Sequence, residues 1–216
     1  MKKLISMLLI VVMVAAMAAG CGQKANTDTT GAADTTAAPV ETTEAVVAPE
    51  SALEVLETVW AQYGEDEMFS VIGGDNVYHN TQMEADETYV MPNAPGEFHL
   101  TGEEERAELT YKMLVPETEI DKISDAATLT HFMNSNIFNA GVYKVSDAAA
   151  FVETMKTAIT GNHWMCGSPE SFLIATIAGE YVLVVWGQSD AMGPFQTKFE
   201  AAYPDAELVV NEAIAI

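Results

Sequence analysis

The amino-acid sequence predicts an α+β domain with an antiparallel sheet, and three observations carry that prediction. From Phe138 onward, apolar runs and amphipathic stretches follow in the order strand, helix, strand, strand, helix, strand. This is the order of a ferredoxin-like βαββαβ unit. Two of those runs, Ser171 to Ile177 and Glu180 to Trp186, are separated by Ala178-Gly179, a hairpin signal. Upstream, Ser51 with Glu54 and Thr101 with Glu104 have the spacing of capping boxes, so N-terminal helices are expected to pack on the C-terminal unit.

Taken in order, Ser51 to Tyr63 reads as a helix, with Leu53, Leu56, Trp60 and Tyr63 on one face and Gly64 past its end. Met68 to Ile72 is a short strand closed by Gly73-Gly74-Asp75. Asn76 to Leu100, with Pro92, Pro95 and Gly96, is expected to be a long irregular loop. Thr101 to Met113 is a second helix whose positively polarised first turn holds Glu103, Glu104 and Glu105, and Pro116 stops it. A third helix is expected over Asp125 to Met133, capped by Ser124. Phe138 to Val145 is a strand. Ser146 caps a helix over Asp147 to Thr160 whose inward stripe is Ala148, Val152, Met155 and Ile159, ended by Gly161. After the hairpin, Gly193 and Pro194 lead into a helix carrying Phe195, Phe199 and Ala202, closed by Pro204. Glu207 to Ile214 is the last strand.

In a ferredoxin-like unit both helices cover one face of the sheet. An antiparallel strand with its other face in water alternates apolar and polar residues. Neither Phe172-Leu173-Ile174-Ala175 nor Tyr181-Val182-Leu183-Val184-Val185-Trp186 alternates. Both faces of the hairpin are therefore expected to be buried. The second is covered either by the segment from Ser51 to Met133 or by a second molecule, which would make a homo-oligomer.

Residues 1–20 have the zones of a secretory signal peptide. Lys2 and Lys3 precede an apolar run from Leu4 to Met17, and the small residues Ala18, Ala19 and Gly20 follow. The run is shorter than the about 20 residues that cross a bilayer. Ala18-Ala19-Gly20-Cys21 resembles a lipobox, with Ala18 standing where Leu is usual. Cys21 is thus the expected lipidation site, since two or more acyl chains anchor stably where one does not. The expected address is the outer face of the cytoplasmic membrane. Residues 21–50 are rich in Thr, Ala, Pro, Asp and Glu and lack aromatics. Such a segment buries too little apolar area to offset its ordering entropy and reads as a tether reaching roughly 30 Å. Residues 51–216 form a single globular domain.

The chain carries 9 basic and 32 acidic residues, a formal charge of −23. That surface disfavours nucleic acid and anionic head groups and favours a cationic or protein partner. With Cys21 acylated, Cys166 has no partner for an intramolecular disulfide.

The stretch from His131 to Val210 contains Gly141-Val142-Tyr143-Lys144-Val145, Trp164-Met165-Cys166-Gly167 and Gly179-Glu180-Tyr181-Val182-Leu183. On these residues it resembles the bacterial domain of unknown function family 4358, whose members are mainly Firmicute lipoproteins and secreted proteins. The helix from Ser51 continues the resemblance. It implies an extracytoplasmic α+β domain and brings no established activity or functional residues.

Residue chemistry offers one weak catalytic pair, Cys166 with His163, in His163-Trp164-Met165-Cys166. A thiol becomes a nucleophile when a nearby cation or imidazolium lowers its pKa. No CxxC or elbow motif accompanies the pair, so the expected role of Cys166 is that of a buried, inert thiol beside Trp164. His79, His99, His131 and His163 are dispersed without zinc-ligand spacing. Glu65-Asp66-Glu67 and Glu103-Glu104-Glu105 lack the alternating ligands and fixed Gly of a calcium loop. Gly73-Gly74-Asp75 has no basic neighbour for phosphate. No metal or other cofactor is expected. The expectation is a membrane-anchored, non-enzymatic domain that binds or assembles at the cell surface. The alternatives are a small extracytoplasmic enzyme using Cys166 with His163, and a solute-binding lipoprotein.

Overall fold

The computed structural model of the chain describes residues 48–75, 82–83, 89–90 and 93–215. The expected signal peptide, Cys21 and nearly all of the tether lie outside the described residues, as does most of the expected loop from Asn76 to Leu100. The elements begin with helix α1 (Ala52–Trp60) and the short strands β1 (Val71–Ile72), β2 (Gln82–Met83), β3 (Tyr89–Val90) and β4 (Gly96–Glu97). Helices α2 (Glu103–Met113) and α3 (Glu117–Ile120) lead to the long strands β5 (Ile123–His131) and β6 (Phe138–Val145). Then come α4 (Ala148–Thr160), β7 (Ser171–Ile177), β8 (Tyr181–Gly187), α5 (Ser189–Ala202) and β9 (Glu207–Ala213).

The class is α+β. Seven strands form one sheet in the order β1-β5-β6-β8-β7-β9, with β4 also pairing β5, and β2 pairs β3 separately. Every pairing is antiparallel.

The ferredoxin-like strand order does not describe this sheet. There the last strand returns beside the first; here β9 pairs β7, and β5 takes the place next to β6. The consequence reaches the helices. β6 to β7 and β8 to β9 are both crossovers between parallel strands, they step across the sheet in the same direction, and β6 and β8 run oppositely. Crossovers of one hand, the right hand that twisted strands favour, must then lie on opposite faces. The packing agrees. Phe195 and Phe199 of α5 join Phe138, Val142, Leu183 and Val185 in one core. Phe151, Val152, Met155 and Ile159 of α4 join Tyr143, Val182, Val184 and Trp186 in the other.

The upstream helices complete both layers. Val55, Leu56, Val59 and Trp60 of α1 enter the α5 side, while Leu109 and Met113 of α2 enter the α4 side. Every residue of β8 is buried, so the absence of alternation has its expected cause. The cover is intrachain, and it lies on both faces rather than one.

The helix expected over Asp125 to Met133 is instead strand β5, paired with β6 from Ile123 to Thr130. The residues that suggested a helix start have other partners. Ser124 donates to the Lys144 carbonyl at 3.3 Å, and Asp125 Oδ2 accepts the Ala52 N–H at 2.7 Å. Asp125 therefore caps α1, whose own N-cap Ser51 accepts the Glu54 N–H at 3.1 Å. At α2 the N-cap is Gly102, and Thr101 makes no capping bond. Asp147, not Ser146, caps α4 by accepting the Ala150 N–H. Helix α5 starts at Ser189 and carries Pro194 inside it. The hairpin turns on positive φ at Ala178 (51°) and Gly179 (76°), the sense that matches strand twist.

Candidate functional site: a groove between helix α2 and the Cys166 loop

A groove of about 1160 Å³ separates α2 from two loops, residues 133–136 and 162–166. Helix α2 contributes Glu103, Arg106, Thr110 and Tyr111, the first loop Met133, Asn134 and Asn136, and the second His163, Trp164, Met165 and Cys166. Trp186, at the end of β8 and 1% exposed, lies at its base. The Trp164 ring leans on it with centroids 5.9 Å apart.

Both walls are fastened. Asn134 Nδ2 donates to the Cys166 carbonyl at 3.0 Å, and Asn136 Nδ2 donates to the carbonyls of Met165 (2.7 Å) and Gly167 (2.8 Å). Those bonds hold a tight bend in which Cys166 (φ 62°) and Gly167 (φ 103°) are both left-handed. The first loop is anchored in turn by His131, whose Nδ1 accepts the N–H groups of Met133 and Asn134 at 3.2 and 3.3 Å. Burial holds the His131 pKa below its usual value, in keeping with an accepting Nδ1. On the other side, buried Asn139 of β6 donates to the Lys112 carbonyl at 2.9 Å and accepts from Thr130 Oγ1 at 2.9 Å. This ties the last turn of α2 to the sheet.

The lining is amphipathic. Tyr111, Met133 and Met165 are 81%, 76% and 76% exposed, the three most exposed large apolar side chains among the described residues. Two buried polar atoms, Trp186 Nε1 and Thr110 Oγ1, have no hydrogen-bond partner among the described residues. The cations of the α2 wall are already engaged: Arg106 with Asp121 at 2.7 Å, and Lys112 with Glu108. Glu103 and Glu117, also in the lining, form no ion pair among the described residues.

The groove brings His163 and Cys166 together with residues that local sequence gave no reason to join to them. Cys166 is exposed, which corrects the expectation of a buried thiol. The left-handed bend turns the loop outward, and Trp164 packs against the core in its place. No hydrogen bond joins His163 to Cys166 among the described residues. The other histidines lie apart. The His131 ring stacks on Phe69 at 5.9 Å, His99 bonds Asp75 at 2.6 Å, and His79 lies outside the described residues. Glu67 pairs with Lys198 at 3.0 Å, and Glu103 to Glu105 occupy the first turn of α2. No sequence motif marks Thr110 and Tyr111, because only the fold sets the α2 wall opposite the two loops.

Among the described residues no helix is long and apolar enough to cross a membrane. No family model, curated protein or solved structure matches the chain.

Proposed function

We propose that this chain is an extracytoplasmic lipoprotein of the family 4358 kind, held by lipid on Cys21, whose domain binds a partner through the groove between α2 and the Cys166 loop. The observation that carries the binding part is the lining. Tyr111, Met133 and Met165 stand exposed around a wide groove whose base is a buried indole lacking a hydrogen-bond partner among the described residues. Exposed apolar side chains gathered in one concavity favour recognition over a merely solvated surface. The acidic composition of the chain disfavours contact with anionic head groups. Substituting Cys21→Ser tests the address. Cell fractionation should find the variant in the soluble extracellular or wash fraction, and the parent with membranes until detergent is added. A processed variant that still pellets with membranes would refute the anchor.

A second reading is favoured by one observation, the exposure of the Cys166 thiol at the groove rim. In that reading Cys166 acts as a nucleophile assisted by His163. The two readings differ in alkylation rate against pH. The binding reading expects a profile that is unchanged in His163→Ala. A midpoint well below neutrality that rises in His163→Ala would establish the enzyme reading instead.

A further inference from the structure

We infer that the groove takes an extended peptide segment bearing apolar and basic side chains, an inference that rests on the groove being the binding surface.

Four features select that chemistry. Methionine is unbranched and polarizable, so Met133 and Met165, flanking Tyr111 and Trp164, can repack around apolar side chains of differing shape. The Trp186 indole can only donate, and Thr110 Oγ1 also lacks a partner among the described residues. Both atoms are buried, so a ligand reaches them only where the flexible lining gives way; one that does gains by offering acceptor oxygens on an otherwise apolar body, as successive peptide carbonyls do. The groove of about 1160 Å³ exceeds the roughly 300–1,000 Å³ that encloses a single drug-sized molecule.

Charge supplies the fourth feature. Arg106 and Lys112 are held by Asp121 and Glu108, whereas Glu103 and Glu117 are unpaired among the described residues, and the chain carries −23 overall. A basic side chain gains on approach, and the exposed ring of Tyr111 offers it a cation–π face. An acidic peptide, an anionic lipid or a second copy of this chain is repelled.

The test uses the full mature chain in detergent and a dye-labelled synthetic peptide alternating Lys with Leu and Phe, followed by fluorescence anisotropy. The expected result is saturable binding, at least about tenfold tighter than to the same peptide with Glu in place of Lys. Tyr111→Ala and Met165→Ala should each weaken it about tenfold. Both side chains are largely exposed, so neither change should shift the melting curve. Glu103→Gln combined with Glu117→Gln should weaken binding and flatten its salt dependence. Equal affinity for the Glu peptide, or no effect of Met165→Ala, would overturn the inference. A neutral apolar dye separates the two levels of failure. Dye binding that is lost in Tyr111→Ala and Met165→Ala, without peptide binding, would leave the groove as a binding surface and refute the peptide. Binding of neither would refute both.

Discussion

Asp75 and His99 meet where the ends of β1 and β4 come together on β5. One carboxylate oxygen of buried Asp75 accepts both the backbone N–H of His99, at 2.9 Å, and its Nδ1, at 2.6 Å. The hydrogen bond and charge of Asp75 raise the His99 pKa, burial opposes them, and Glu97 and Glu105 add smaller upward contributions. A histidine whose folded pKa lies above its unfolded value of about 6.5 contributes stability that is fully present below that pH. The contribution is lost as pH rises through the folded value. Denaturant midpoints of the parent and His99→Gln should therefore differ most near pH 6 and converge in the alkaline range. A difference independent of pH would contradict the pairing. Nothing in the local sequence joins Asp75 to His99, because the contact depends on two short strands sharing one edge of β5. Cys166 is the converse case. Its candidacy was legible from His163-Trp164-Met165-Cys166, but its exposure follows from a bend clamped by Asn134 and Asn136, from a different segment.

At the scale of elements, the junction of β1 and β4 makes the sharpest demand on side-chain size. A Cβ on Gly73 would lie 2.0 Å from Gly96 N, 2.4 Å from Pro95 C and 2.6 Å from Thr128 O. All three are backbone atoms that cannot swing away. Gly73→Ala should cost about 3 kcal/mol or more, read by denaturant unfolding. Gly193 lies within α5 directly ahead of Pro194, whose ring disfavours the helical conformation for a preceding residue that carries a Cβ. Gly193→Ala should therefore not bring the gain of about 0.5–1 kcal/mol that Ala has over Gly elsewhere in a helix. A neutral Gly73→Ala would show that β1 and β4 do not abut. The elements from β6 to β9 were legible because their apolar runs and helical stripes are continuous and punctuated by Gly161, Gly179 and Pro204. Strand β5 was not. Ser124 and Asp125 ahead of Ala126-Ala127 imitate a helix start, and only tertiary structure shows that Asp125 caps α1 instead.

For the whole molecule, the non-alternating hairpin indicated a sheet buried on both faces, and this much follows from side-chain chemistry. Strand order is a different kind of information. It is decided by which edge β9 joins, and that choice sends α4 and α5 to opposite faces and leaves α1 and α2 to complete one layer each. The groove belongs to this scale too, since its walls come from α2, the loop after β5 and the loop after α4, with β8 at its base. A methionine-methyl NMR spectrum of the mature chain, titrated with the Lys-Leu-Phe peptide and then with the neutral dye, examines it directly. Met133 and Met165 line the groove, whereas Met68, 41% exposed, is absent from its lining and serves as an internal control. Binding through the groove shifts the Met133 and Met165 methyl signals saturably and leaves that of Met68 in place. Shifts confined to Met68, or none at Met133 and Met165 with either probe, would contradict the assignment of this groove as the binding surface.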